Sequence, residues 1–291
     1  MHRLFHLCSL LLCSLLPVIG CSTIPRADFS NPTIATFFTG FEPITSVGIE
    51  GAPVASWYGE MPLMGLTLHG VDKADASGIG YLAGLSGMFW RGALGSPGYR
   101  WGIRPGIRYV HQHLDAALDR TISTRIATRA DDTTTPPFTS APVRIESTAD
   151  FEMIQVSAAF IQEFARIGRS GLGLFISPGF SYVMVAKRLE TVELADEVQG
   201  RFFNPGGLMV ADDARKLILY DGDPNLHSSD IRFSLLVGLQ LESRIATDLS
   251  LISSVEYDFP FWPARGSQEN VNSLHACLGL MWNIDWVMIL E

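Results

Sequence analysis

The feature that most constrains this chain is an alternation of period two that recurs in segment after segment. Side chains of a β-strand point in turn to opposite faces, so such a segment carries one apolar face and one polar or small face. Ile231 to Glu242 is the clearest case. Ile231, Phe233, Leu235, Val237, Leu239 and Leu241 fall on one side, and Arg232, Ser234, Leu236, Gly238, Gln240 and Glu242 on the other. Leu249, Leu251, Val255, Tyr257 and Phe259 oppose Asp248, Ser250, Ser254, Glu256 and Asp258. Leu274, Ala276, Leu278, Leu280, Trp282 and Ile284 oppose Ser273, His275, Cys277, Gly279, Met281 and Asn283. The same pattern predicts strands over Leu172–Met184, Ile154–Phe164, Tyr99–Tyr109 and Ile79–Phe89, and a weaker first strand over Met61–Gly70 with Met64, Leu66 and Leu68 on its apolar face. Eight strands are expected.

Apolar faces of this kind point inward in a soluble β-sandwich or a lipocalin-like barrel, and outward in a membrane barrel. Two features favour the membrane. Connections near residues 91–98, 165–170 and 243–247 are short, whereas polar segments near 113–149, 188–229 and 260–270 are long. Short turns on one side and long loops on the other mark outer-membrane barrels. The 71–77 connection is short but falls on the long-loop side. Aromatic residues also sort into two levels, with Tyr81, Tyr109, Tyr182, Phe233, Tyr257 and Phe259 near one rim, and Phe89, Tyr99, Trp101, Phe160, Phe164, Trp282 and Trp286 near the other. Aromatic girdles of this kind lie where lipid meets headgroups.

Lipid offers no hydrogen bonds to a sheet edge, so a spanning sheet must close and strand 1 must pair with strand 8. The expected fold is all-β, an eight-stranded antiparallel up-and-down transmembrane β-barrel in the bacterial outer membrane. Pro105 and Pro178 lie inside predicted strands and lack a donor, so local bulges are expected there.

Composition agrees. Of 291 residues, 47% are hydrophobic and only 18% charged, yet no segment past the amino-terminal leader offers the roughly 20 apolar residues of a membrane helix. A net charge of -9 creates no global field for phosphate and excludes nucleic acid as a general partner. Outer-membrane lipid is the expected surrounding.

Met1 to Gly20 reads as a signal peptide, with His2 and Arg3 before a short apolar stretch. Val18-Ile19-Gly20-Cys21 suits a lipobox that acylates Cys21, and equally suits ordinary signal-peptidase cleavage. Residues 21–60 carry Pro25, Pro32, Pro43 and Pro53 among Ser, Thr and Gly, and read as a periplasmic linker. The barrel is placed at 61–286, with a tail at 287–291. Cys8 and Cys13 leave with the signal, so Cys21 and Cys277 give no disulfide framework. No metal-ligand spacing or cofactor motif is present.

An eight-stranded barrel has an interior that side chains just fill. The inward faces predict a lumenal charge network of Arg100, Arg104, Arg108 and Arg232 against Glu163, Glu242, Asp248, Glu256 and Asp258. Buried charges must pair, which favours a structural plug. An anion site or narrow conduit lined by the arginine ladder is the sharper alternative. Ser273 and His275 share an inward face, but no nucleophile motif frames them, and no enzyme is expected. The outer loops 113–149 and 188–229 are the expected site for a protein partner. Within the second, Arg201 to Pro205 either presents Phe202 and Phe203 or packs them against the loop itself, with packing the better reading.

The layout resembles the outer-membrane β-barrel domain family that includes PorT-like proteins. The likeness is carried by Gly78–Tyr109, Phe151–Phe164, Gly173–Lys187, Ile231–Phe259 and Leu274–Ile284. It implies an eight-stranded outer-membrane barrel and, for some relatives, service in secretion machinery. The leading expectation remains a non-catalytic scaffold or surface-interaction protein, with a component of an export apparatus as the alternative.

Overall fold

A computed structural model describes residues 45–63, 73–91, 100–128, 135–203, 215–222, 231–246, 248–262 and 271–284. The expected signal peptide, Cys21, Tyr99, Trp286 and the 287–291 tail lie outside them. The strands are β1 (Thr45–Pro62), β2 (Lys73–Arg91), β3 (Trp101–Ala127), β4 (Phe138–Ile167), β5 (Ser170–Leu194), β6 (Arg201–Phe202), β7 (Lys216–Gly222), β8 (Ile231–Arg244), β9 (Leu249–Trp262) and β10 (Asn272–Ile284). Among the described residues no helix is long and apolar enough to cross a membrane.

Eight of these strands form a closed antiparallel ring, β1-β2-β3-β4-β5-β8-β9-β10, sealed by the β1–β10 pair. Stepping between opposed residues from Thr45 through Phe89, Ile103, Phe160, Ile176, Val237, Tyr257 and Leu274 returns to β1 at Ala55, a stagger of ten residues. With strands about 4.8 Å apart, that stagger tilts them by roughly 40° from the barrel axis. Such a tilt is typical of outer-membrane barrels.

The first strand differs from expectation. β1 begins at Thr45, inside the segment read as linker, and ends at Pro62; residues 64–70 of the expected strand lie outside the described set. The 45–58 stretch does alternate, with Ser46, Gly48, Glu50, Ala52, Val54 and Ser56 buried and Val47, Ile49 and Pro53 exposed. Its contrast is low because Gly, Ala and Pro are neither strongly apolar nor polar, so proline content dominates the reading.

Most of the first expected outer loop, and part of the second, is strand. β3 and β4 continue through most of 113–149, paired from Trp101↔Gln162 to Arg125↔Phe138. β5 runs to Leu194, where β7 takes the place of β8 beside it. β6 pairs the far end of β3. Lys73 to Ser77, expected as a connection, belong to β2.

The β4–β5 and β8–β9 turns on the other side are short, as expected. β4 and β5 are joined through Gly168 and Arg169, and Gly168 has φ +59°, a left-handed backbone open to glycine without strain. The expected bulges at Pro105 and Pro178 do not occur. Pairing holds the same register on both sides of each: Ser86↔Gly106 and Phe89↔Ile103 around the first, Ser157↔Gly179 and Phe160↔Ile176 around the second. One missing donor per proline leaves a local gap in one ladder, and the neighbouring pairs hold the strand in place.

Inside the ring are two apolar clusters. One, toward the short-turn end, contains Met88, Trp90, Ile161, Phe175 and Met281. The larger spans Val54, Leu82, Val110 and Cys277 and continues upward through Leu114, Val143, Ile145, Val192 and Leu194. Phe202 is buried in this upper cluster, so the Arg201–Phe203 stretch packs inward at that residue.

Candidate functional site: the lumenal charge layer and the outer sheet

The period of two on β3 sends every second side chain inward. Arg100, just before that strand, and Arg104 and Arg108 on it therefore climb the lumen, all buried. Arg100 donates to Glu163 Oε2 at 2.5 Å and Glu242 Oε2 at 2.6 Å, and its guanidinium lies 3.8 Å over the Trp90 ring. Arg166 also pairs with Glu163. Arg104 donates to Gln240 Oε1 and Glu256 Oε1, both at 2.7 Å. Arg108 donates to Glu256 Oε2 at 2.5 Å and to Glu50 Oε1 at 2.6 Å. Ser254 Oγ donates a further bond to Glu256 at 2.8 Å. Glu256, fully enclosed, thus holds two arginines and a hydroxyl.

Most of the expected network is therefore brought together. Glu50 falls outside the expected set, because it sits in the segment read as linker; its place between Gly48 and Ala52 on an alternating stretch is the signal that could have found it. Arg232 stands apart from the ladder. It donates to Gln112 Oε1 at 3.2 Å and the Val271 carbonyl at 3.3 Å. Asp258 is buried and accepts from Gln155 Nε2 at 3.1 Å. Asp248 is not in the lumen. It is exposed in the β8–β9 turn, where its main-chain carbonyl accepts from the Asn283 N–H at 2.8 Å. The polar-face assignment fails there because β9 starts one residue later.

Ser273 and His275 do face inward, both fully buried, with Oγ and Nε2 2.9 Å apart. Gln112 Nε2 also donates to Ser273 Oγ at 3.1 Å. His275 Nδ1 has no hydrogen-bond partner among the described residues, so no carboxylate there orients the ring as a base requires. Among the described residues no cluster of His, Cys, Asp and Glu could hold a metal ion.

Outside, the ring carries an apolar belt. Ile49, Ile79, Leu85, Leu174 and Leu278 are each more than half exposed. Water would not tolerate such a continuous surface on a monomer. Aromatic pairs sit toward both rims: Tyr81–Tyr109 at 6.0 Å and Phe180–Phe233 at 5.6 Å toward one, Trp101–Phe160 at 5.6 Å toward the other. Trp57 of β1 joins the first group, 5.5 Å from Tyr257.

Beyond Tyr109 the outward faces of β3, β4 and β5 turn polar. His113 Nδ1 lies 2.6 Å from Asp150 and its Nε2 3.1 Å from Asp115. The hydrogen bond to Asp150 holds the His113 pKa above its ordinary value. Higher still, Asp119, Arg144, Glu193 and Lys216 stand directly opposite one another on β3, β4, β5 and β7. Charges of alternating sign thus cross four strands. Arg144 and Lys216 both bond Glu146, at 3.1 and 3.3 Å. The Lys216 bond, with Arg144, holds the Glu146 carboxyl below its usual range. Two clefts of about 420 Å³ open on this sheet. One is lined by residues including Asp119, Arg120, Pro142 and Arg144, the other by Lys73, Asp75 and Leu118.

No family model matches the chain, and no curated protein does. Among solved structures, Neisserial surface protein A is similar over 82% of this chain and 97% of its own, with 11% identity and a TM-score of 0.35. Ail, the attachment invasion locus protein of Yersinia pestis, is similar over 83% and 99%, with 10% identity and a TM-score of 0.32. The outer membrane protease OmpT from Escherichia coli is similar over 86% and 100%, with 10% identity and a TM-score of 0.29. The closed ring, its stagger and its apolar belt stand independently of these likenesses. A sheet that faces lipid must leave no edge, and this ring leaves none. The chain is an eight-stranded antiparallel up-and-down transmembrane β-barrel.

Proposed function

We propose that this barrel is a closed, non-catalytic scaffold that displays the β3–β4–β5–β7 sheet at the cell surface for a protein partner. The observation that carries this reading is the length of β3, β4 and β5 beyond the apolar belt. From Glu152 to Phe138, β4 alone supplies roughly 45 Å of strand on the outer side. That sheet has its own apolar core beneath it and an ordered charge row on its outward face. A surface of fixed charges suits recognition of a complementary partner.

The lumen supports the closed reading. Each arginine of the ladder is held by two acceptors, at least one of them a carboxylate, leaving no guanidinium open to line a conduit. The pair Ser273–His275 is enclosed and lacks an orienting acid among the described residues, which supports a non-catalytic role. No feature of the described short-turn side favours the export-apparatus reading of the PorT-like resemblance.

The test places a photo-crosslinking residue at Asp119 or Arg144 in intact cells. A discrete adduct, lost when crosslinking residues instead occupy the lipid-facing positions Leu174 or Leu278, is the expected result. A folded, surface-labelled barrel that forms no adduct at either outer position contradicts the proposal.

A further inference from the structure

We propose that the lumen contains an oxygen-lined site for a monovalent alkali cation, centred on Asp258, with sodium as its probe. The starting point is an imbalance. Glu50, Glu163, Glu242 and Glu256 each have an arginine partner. Asp258, only 8% exposed, is bonded to the neutral amide of Gln155. A carboxylate so enclosed requires a counter-charge or a proton.

Its surroundings offer oxygen. Asp258 Oδ1, Gln155 Oε1, Ser177 Oγ and Ser234 Oγ are all buried and have no hydrogen-bond partner among the described residues. They come from four adjacent strands, β4, β5, β8 and β9. Gly179 brings two of these side chains close. A Cβ on Gly179 would lie 2.8 Å from Ser234 Oγ, 2.8 Å from Leu236 Cδ1 and 3.5 Å from Gln155 Nε2, so Ser234 and Gln155 approach each other over a residue without a side chain, beside Leu236. Gln155 reaches on to Asp258. Ser177 lies two residues from Gly179 on the same inward face, opposite Leu236, which is itself opposite Asp258.

The donor set selects the ligand. Carboxylate, amide carbonyl and hydroxyl oxygens are hard ligands that suit alkali and alkaline-earth ions, not the softer transition metals. One formal negative charge matches one positive charge. A divalent ion would leave an uncompensated charge beside Arg108, whose backbone is paired with Gln155. Gln155 Nε2 donates to Asp258 Oδ2, and its carbonyl oxygen is buried with no hydrogen-bond partner among the described residues.

The experiment uses the full chain folded in detergent, with sodium chloride replaced stepwise by choline chloride at constant ionic strength. The thermal midpoint is expected to rise with sodium and to saturate, as binding to the folded state alone requires. Asp258→Asn, which keeps the shape and removes the charge, is expected to abolish the sodium response. Ser234→Ala, which removes one ligand, is expected to raise the half-saturating sodium concentration about tenfold. If Asp258→Asn does not fold, the Ser234→Ala titration decides. Equal midpoints in sodium and choline overturn the proposal. An unchanged sodium response in both variants overturns it as well, by placing the ion elsewhere.

Discussion

The lower and upper halves of β3, β4 and β5 are built on the same alternation with opposite chemistry. In the belt, β4 turns Val156 and Phe160 outward and Gln155, Ser157 and Ala159 inward; above it, Thr148, Glu146 and Arg144 face outward and Ala149, Ile145 and Val143 inward. β3 makes the same exchange between Ile107 and His113, while its inward side passes from Arg104 and Arg108 to Leu114 and Ala116. β5 exchanges near Met184 and Val185, both exposed, where a bulge against Glu152 and Met153 shifts the register by one. One strand can therefore serve two solvents. What changes is which residue types each face carries, since lipid rewards apolar surface and water rewards burying it.

Several substitutions would break or sharpen this contrast. The largest effect is expected in the lower lumen. Arg108→Ala leaves Glu50 unpaired and strips Glu256 of one of its two arginines, and is expected to cost about 3–5 kcal/mol, measured by urea unfolding of the barrel in lipid vesicles. A cost under about 1 kcal/mol would mean that the layer is hydrated and loosely held.

Next comes a matched pair on the outward face of β4. Val156→Arg places a charge in the belt and is expected to cost about 2–4 kcal/mol. Thr148→Arg, farther up the same face, is expected to stay within about 0.5 kcal/mol. Equal costs in the same unfolding assay would move the membrane boundary.

In the charge row, Arg144→Ala is expected to cost only about 0.2–1 kcal/mol, less at high salt. A salt-independent loss would assign the effect to packing.

The smallest effect is a pH dependence. The His113 pKa is raised by its bond to Asp150, so the protonated ring stabilises the fold. That contribution is complete below the ordinary histidine pKa of about 6.5 and is lost as pH rises through the higher folded value. Comparing unfolding of the wild type and His113→Ala across that window checks it, and parallel curves would show that the pair contributes nothing.

The polarity exchange also explains what is legible in the sequence. Ile231–Leu241, Leu249–Phe259 and Leu274–Ile284 are read almost to their observed ends, because their outward faces stay apolar throughout. β3, β4 and β5 are cut short in the reading at the point where polar residues move outward. Asp115, Asp119 and Thr121 look like loop when an apolar outer face is the signal sought, although Leu118 and Ile122 still alternate with them. The arginine spacing on β3 is visible in sequence. Its partners are not, since pairing Arg108 with Glu50 and Glu256 depends on ring closure and stagger. Asp258 is visible as an inward carboxylate, while its bond to a neutral amide emerges only from three-dimensional packing.

The most direct test of the account is whether the ring is closed and integral. Membranes from cells making the full chain would be washed with alkaline carbonate, and boiled and unboiled samples compared on a detergent gel. The account predicts retention in the membrane and a band whose mobility shifts on boiling. Release by the wash with identical mobilities would contradict it, and the apolar belt would then be the buried face of a different, soluble β-fold.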